Sequence, residues 1–174
     1  MMAILRDKRL SVVWTLFRVW LGWQWLHAGL NKINDPKWME GGAALKGYWA
    51  KALGVLPNTT PSIKYGWYGS FIQGLHDGGH FTWFAKLVVY GEILTGIALI
   101  LGVTTIFALS AGAFMNLNYM LAGSASSNPV MYTLSILLLI AGPVAYYYGL
   151  DRLLIHYYRV YRGKRLYPGS QPIS

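Results

Sequence analysis

Residues 84–102 read FAKLVVYGEILTGIALILG, and this stretch decides how the rest of the chain is organised. The run is almost wholly apolar and is long enough to cross a bilayer as a helix, yet it carries one acid, Glu92, near its middle. A charged side chain at that depth costs roughly 2.5–3.5 kcal/mol on insertion scales. The chain must therefore supply Glu92 with a partner, a proton or a water-filled cavity.

The composition is typical of a membrane protein. Of the 174 residues, 55% are hydrophobic and only 12% are charged, whereas a soluble domain carries about 25% charged residues. Basic residues at the ends of membrane helices explain the net charge of +9, so we expect no nucleic acid partner. The sequence contains no cysteine, which excludes disulfides, thiolate metal sites and covalent carriage of sulfur on this chain.

Hydropathy predicts an all-α integral membrane protein built as a four-transmembrane-helix bundle. The spans are expected at about residues 10–30, 83–101, 105–122 and 130–150. They belong to a single membrane domain, 1–165, in which a long extracytoplasmic loop, 31–81, joins the first two spans. Within that loop, 42–53 is a candidate interfacial helix rich in aromatic residues. Residues 166–174 are expected to form a frayed cytoplasmic tail.

Positive charge is concentrated near both ends of the chain. Arg6, Lys8 and Arg9 precede the first span, whereas the lysines of the long loop are spread over many more residues. Four spans return the chain to the side on which it started, so the positive-inside rule predicts a multi-pass protein of the cell membrane with both termini in the cytoplasm. A cleaved signal peptide is the rival interpretation of the N-terminal segment, but the apolar run is too long for one and contains Arg18.

Arg18 is the expected partner of Glu92. Counted from the cytoplasmic ends of their own spans, Arg18 lies ~14 Å and Glu92 ~15 Å deep. Gly22 and Gly29 share the helix face of Arg18, and Gly96 shares that of Glu92. We therefore predict that these small-residue faces pack together with an Arg18–Glu92 pair between them. Such a pair either takes part in chemistry or only locks two helices together, and both roles stay open.

A second group of polar residues is expected at the outer surface. His27 lies on the opposite face of its helix from Arg18 and nearer the outside. Lys32, His76 and His80 are expected at the same level, where their positive charge would attract a small anion. Three histidines could also suggest a metal or haem, but no tight ligand spacing supports one, and we expect neither.

The third span contributes a candidate binding residue and part of an aromatic pocket. Asn118 lies in its outer half and can bond either a ligand or a neighbouring helix. Tyr119 could wall a flat pocket together with Trp20, Trp23 and Trp25, although tryptophan at these depths is also ordinary packing.

Four stretches carry a resemblance to the DoxX/DoxD family. They are RVWLGWQWLHAGLNK (18–32), GEILTGIALILG (91–102), NLNYMLAGSASSNP (116–129) and GLDRLL (149–154). The resemblance covers all four predicted spans and implies a four-helix bundle that is the membrane subunit of a thiosulfate:quinone oxidoreductase. DoxX relatives are also implicated in oxidative-stress complexes with sulfurtransferases.

From the residues and the resemblance together we expect a quinone-linked oxidoreductase subunit that passes electrons from a small sulfur compound, such as thiosulfate, to membrane quinone. The expected catalytic residues are Glu92, Arg18 and His27, and the expected substrate-binding residues are Asn118, Lys32, His76 and His80. Quinone and lipid are the expected ligands, and a second redox subunit, a sulfurtransferase or a second copy of the chain are candidate partners. Two alternatives stay open. The first is a non-catalytic scaffold that recruits such a partner. The second is a small-solute or proton pathway, although four helices are few for alternating access and the sequence shows no inverted repeat.

Overall fold

The structure, a computed structural model, describes residues 5–166, without the side chains of 159, 160 and 162–166. The described part of the chain is helical and contains no strand, which confirms the all-α expectation. From residue 167 onwards, the predicted tail 166–174 lies outside the described residues.

Eight α-helices follow one another along residues 5–166. They are α1 (Ser11–Ile33), α2 (Pro36–Met39), α3 (Ala43–Leu53), α4 (Gly66–Asp77), α5 (Phe81–Leu101), α6 (Thr105–Leu121), α7 (Asn128–Ala141) and α8 (Leu150–Leu166). Short 3-10 turns, Lys8–Leu10 and Gly142–Val144, precede α1 and follow α7. Helices α1, α5, α6 and α7 lie where the four apolar spans were expected. The last of them ends well before residue 150, because Gly142 adopts a positive φ of 61° and Pro143 has no N–H to continue the helix.

Helix α5 is the one described helix that is long and apolar enough to cross a membrane. Helices α6 and α7 are apolar but shorter. Helix α1 has 23 residues, but it carries Arg18 and Lys32. Length and composition therefore single out α5 as a candidate membrane span.

Glycines bring α1 and α5 into backbone contact. A Cβ atom added to Gly96 would lie 2.5 Å from the backbone N of Leu26, and one added to Gly22 would lie 2.9 Å from the carbonyl O of Gly96. Further along, a Cβ atom on Gly29 would lie 3.0 Å from the N of Ile93. The predicted packing of the two glycine faces is confirmed. Because these glycines are used inside the chain, they offer no face for a second copy.

The long connection between α1 and α5 is folded over one end of the bundle. We call this the upper end; there α1 finishes, α5 begins, α6 finishes and α7 begins. Helices α3 and α4 bury Trp49, Tyr68 and Ile72 against Ala85 of α5 and Ala122, which directly follows α6, in a core separate from that of the bundle. The candidate helix at 42–53 is present as α3. Helix α4 was not predicted, because the three glycines of GWYGSFIQGLHD weaken its helical pattern.

Candidate functional site

A cavity of about 460 Å³ opens at the upper end of the bundle. Its walls come from α1, α2, α3, α5, α6 and the segment 124–131 that leads into α7. The residues that matter for its chemistry are Trp25, His27, Lys32, Glu92, Tyr119 and Asn128. The volume lies within the range of about 300–1,000 Å³ that is typical of small-molecule sites.

The carboxylate of Glu92 is held at this cavity by two other helices. Its side chain is 1% exposed. Lys32 Nζ of α1 lies 2.7 Å from both carboxylate oxygens, and the Tyr119 hydroxyl of α6 donates to Oε1 at 2.8 Å. Glu92 therefore has the partner that a buried acid requires, and three helices converge on one charge-assisted network.

The predicted Arg18–Glu92 pair does not form. Helices α1 and α5 run antiparallel, with Gly29 opposite Glu92 and Gly22 opposite Gly96 and the residues after it. This register places Arg18 beyond the last turn of α5, at the lower end of the bundle. Helix α1 extends past the end of α5, so depths counted from the separate ends of the two spans do not correspond. Lys32, one turn above Gly29, reaches back to Glu92 instead.

Arg18 instead holds the lower end of the bundle together. Its side chain is 1% exposed and donates from Nη2 to the Tyr148 carbonyl at 2.9 Å. Its guanidinium packs against Gly102, the left-handed residue that ends α5, where any Cβ would collide with Nη1. The Asp151 backbone N–H donates to the Gly102 carbonyl at 2.7 Å. These contacts join α1 to the turn after α5 and to the start of α8, which favours the locking role for Arg18.

Asp151 is a structural residue that sequence reasoning did not single out. Its carboxylate accepts hydrogen bonds from the backbone N–H groups of Thr104 and Thr105 at 2.6 and 2.8 Å. These are N–H groups at the start of α6 that have no partner within the helix. Asp151 lies 46 residues after Thr105 in the sequence, and no local capping rule would connect it to α6.

Two other predicted residues lie around the upper end in different settings. His27 lines the cavity and is exposed, with its Nδ1 3.4 Å from Asn31 Nδ2. Asn118 does not line the cavity: its Oδ1 accepts a 3.3 Å hydrogen bond from the Tyr68 hydroxyl, and its Nδ2 donates to the Phe114 carbonyl at 2.8 Å. The structure therefore uses Asn118 to attach α4 to α6.

The expected anion site of Lys32, His76 and His80 is not assembled. Lys32 is paired with Glu92, and neither histidine lines the cavity. His76 Nδ1 lies 3.0 Å from an oxygen of Asp77, and hydrogen bonds from Gln73 and then from His76 lower the pKa of the Asp77 carboxyl. His80 accepts a 3.3 Å hydrogen bond from the Trp83 indole. The His76 side chain is only 17% exposed, and its contacts are with Asp77 and Phe81 rather than with the cavity.

Part of the expected aromatic pocket is present. Trp25 is buried in the cavity wall with its ring centroid 6.4 Å from that of Tyr119, whereas Trp20 and Trp23 point out of the bundle. The connection supplies two aromatic walls that were missed. Trp38 has Lys32 Nζ 5.2 Å from its ring centroid, and the Tyr48 hydroxyl donates to the Tyr119 carbonyl at 3.4 Å. Only the folded position of α2 and α3 brings these rings to the cavity.

The cavity combines flat aromatic walls with hydrogen-bond donors around a buried acid. This donor set suits a flat ring that carries carbonyl oxygens, since the rings can stack on it and the ammonium and amide groups can donate to it. Among the residues that the structure describes, no three metal-ligating side chains lie together. No family model, curated protein or solved structure matches the chain.

Proposed function

We propose that the chain is a DoxX/DoxD-like, multi-pass protein of the cell membrane in which α1, α5, α6 and α7 all cross the bilayer. The support is the distribution of exposed apolar side chains, which occur on all four helices and include Phe17, Leu94, Phe114 and Val130. Water would penalise such large apolar patches, whereas lipid accommodates them. With both termini in the cytoplasm, the upper end and its cavity face the outside, and lipid surrounds the bundle.

We further propose that the cavity binds a membrane quinone and that the protein is a subunit of a quinone-linked oxidoreductase. One observation carries this proposal: the Lys32–Glu92–Tyr119 network lies in an aromatic-walled cavity of small-molecule size. Quinone, when bound, supplies the two-electron acceptor. The chain supplies stacking surfaces in Trp25 and Trp38 and a connected set of proton-bearing groups.

The network can hold and replace protons beside the ligand. An ammonium has three N–H donors, and Lys32 directs its contacts at two oxygens of one carboxylate, which leaves donor capacity for a ligand oxygen. The Lys32 side chain is 22% exposed, so it also meets solvent. The Tyr119 hydroxyl lies at the other end of the same network through Glu92 Oε1. A proton donated within the cavity can therefore be replaced from water through Lys32 and Glu92.

The proposed overall reaction balances with a small sulfur compound as the electron donor. Two thiosulfate ions that join through a new sulfur–sulfur bond release two electrons, and one quinone takes up those electrons with two protons. The identity of this donor rests on the sequence resemblance, because the lysine of the cavity is already neutralised by Glu92. Since the chain has no cysteine, sulfur is not carried on it, and a second redox subunit or a sulfurtransferase is the natural place for that step.

Donor-dependent quinone reduction by the purified protein tests the proposal. Thiosulfate, sulfite and sulfide are offered in turn, each with and without membrane-extract partners that co-purify. Glu92→Gln should abolish turnover, whereas Glu40→Gln, which neutralises an exposed acid outside the cavity, should leave it unchanged. Normal turnover by Glu92→Gln would remove the network from the mechanism. If none of these donors supports quinone reduction by the folded protein, either alone or with its partners, the oxidoreductase assignment is refuted.

One observation favours the scaffold alternative. Helix α8 exposes Leu153, Leu154, Tyr157 and Tyr158, and its sequence is rich in arginine and lysine. An exposed apolar and basic helix suits recruitment of a redox or sulfurtransferase partner. If this is its main role, substitutions in α8 will release the partner, whereas Glu92→Gln will not affect the partner's activity.

A further inference from the structure

A second concavity, of about 700 Å³, lies between α1 and α7 and faces outward from the bundle. Leu16, Phe17 and Trp20 of α1 form one wall, and Val130, Leu134 and Leu137 of α7 form the other. We call it the α1–α7 groove. Thr133 is the polar side chain in its lining, and its hydroxyl already donates to the Pro129 carbonyl at 2.8 Å. The groove therefore presents a hydrocarbon surface that asks for no hydrogen bond.

The residues that line the α1–α7 groove adjoin those that line the cavity along the same two helices. Gln24 of the cavity wall follows Trp20 of the groove by one turn of α1. On α7, Asn128 of the cavity directly precedes Pro129 of the groove. From Pro129 the groove follows α7 for about 12 Å at 1.5 Å of rise per residue. A ligand can thus place a polar head in the cavity and extend an apolar chain down the groove.

We propose that the α1–α7 groove holds the polyprenyl tail of the quinone whose head lies in the cavity, an inference that rests on the proposed function. The adjacency of the two linings on both α1 and α7 favours a tail attached to the head over an unrelated occupant. A second copy of the chain is a poorer fit, since a stable protein interface buries about 1,200–2,000 Å² and this groove follows α7 for only about 12 Å. The substrate class is therefore long-chain membrane quinone rather than a water-soluble quinone.

Filling the groove should separate the tail from the head. Thr133 and Val130 are exposed at its surface, so tryptophan at either position occupies the groove without entering the core. The matched control is Leu94→Trp, which adds a ring to an exposed position of α5 outside the groove. Both Thr133→Trp and Val130→Trp should weaken a tailed quinone about tenfold, the factor that about 1.4 kcal/mol of lost contacts produces. Neither variant should change the affinity for a tail-less quinone with the same head by more than about twofold, which corresponds to about 0.4 kcal/mol of binding free energy.

The experiment is equilibrium binding in detergent, followed by quenching of tryptophan fluorescence. Each probe is compared between protein variants, because tailed probes also partition into micelles. A third probe, a polyprenol with the same tail and no quinone head, separates failure of the tail site in the groove from failure of the quinone site in the cavity. Tail-selective weakening by both groove variants, with no effect of Leu94→Trp, is the expected result.

Three outcomes would overturn the inference in distinguishable ways. If the tail-less quinone binds wild type and the groove variants affect both quinones equally or neither, the tail lies elsewhere while the quinone function stands. If the polyprenol binds as tightly as the tailed quinone and the tail-less quinone does not bind, the groove is a lipid site and the proposed function fails with the inference. If the groove variants convert a dimer to a monomer and leave quinone binding intact, a second copy occupies the groove.

Discussion

Replacing Lys32 with methionine should show how strongly the bundle depends on a partner for its buried acid. In the wild type, Lys32 Nζ lies 2.7 Å from both oxygens of Glu92, whose side chain is 1% exposed. Methionine keeps the length and apolar stem of lysine and removes its charge. In this variant, the Glu92 carboxylate loses the ammonium and keeps the hydrogen bond from the Tyr119 hydroxyl.

The expected cost is large for a single substitution. Removing one partner of a buried ion pair costs about 3–5 kcal/mol, because the remaining charge is desolvated and uncompensated. Lys32 is partly exposed, and water that enters at its position favours the lower end, about 3 kcal/mol. Removing both charges in Lys32→Met/Glu92→Gln should cost only about 1 kcal/mol, since glutamine still accepts the hydrogen bond from Tyr119. The double variant should thus be about 2 kcal/mol more stable than Lys32→Met alone.

Unfolding in mixed micelles with increasing SDS, followed by circular dichroism, measures these free energies. Lys37→Met removes an exposed lysine of α2 outside the cavity and serves as the control, with no measurable loss expected. The double variant should be more stable than Lys32→Met alone. A double variant that is no more stable than Lys32→Met, or a Lys32→Met protein as stable as the control, would refute the assigned pairing of Glu92.

Three further substitutions test the packing, the upper core and the lower end. Gly96→Ala should destabilise the protein by about 1–3 kcal/mol because its Cβ would press on the backbone of α1. Gly47→Ala, with open space around it, should be neutral or stabilising. Equal effects of the two substitutions in thermal unfolding would contradict the α1–α5 contact. Burial raises the pKa of Tyr68 to about 12, so its contribution to stability is complete below the tyrosine pKa of about 10 in the unfolded chain and is lost as the pH rises from there towards 12. In alkaline unfolding, Tyr68→Phe should reduce that loss of stability. An unchanged pH profile would argue against burial of this hydroxyl. Asp151→Ala should cost about 0.5–2 kcal/mol by removing the cap of α6, and thermal unfolding equal to wild type would show that the cap contributes nothing.

The sequence predicts the helices and the glycine contact because both are local properties. Apolar runs set the four long helices, and small residues at Gly22, Gly29 and Gly96 identify the faces that can approach closely. The partner of Glu92 depends instead on how far one helix slides past the other. Nothing local encodes that register, and the assumption that spans end at common levels selected Arg18 in place of Lys32.

The cavity is harder to predict because part of its wall comes from the connection between α1 and α5. Trp38 and Tyr48 reach it only after α2 and α3 fold over the upper end, and α4, which supports them, has a sequence too rich in glycine to indicate a helix. Tyr119 was expected in an aromatic wall, but its hydrogen bond to Glu92 depends on the rotation of α6 about its own axis. Expected sites therefore failed where residues had to converge from separate elements, as His76, His80 and Lys32 show.

Photoaffinity labelling with a tail-less azidoquinone is the measurement that tests the central claim most directly. The label sits on the quinone head, and mass spectrometry of the labelled peptides locates it without requiring an electron donor or a partner subunit. The proposed site predicts label on residues of the cavity wall, foremost Trp25, Tyr119 and Met131, and loss of that label when unlabelled quinone competes. Label confined to the exposed apolar faces of the helices, and insensitive to the competitor, would contradict a quinone site at Glu92.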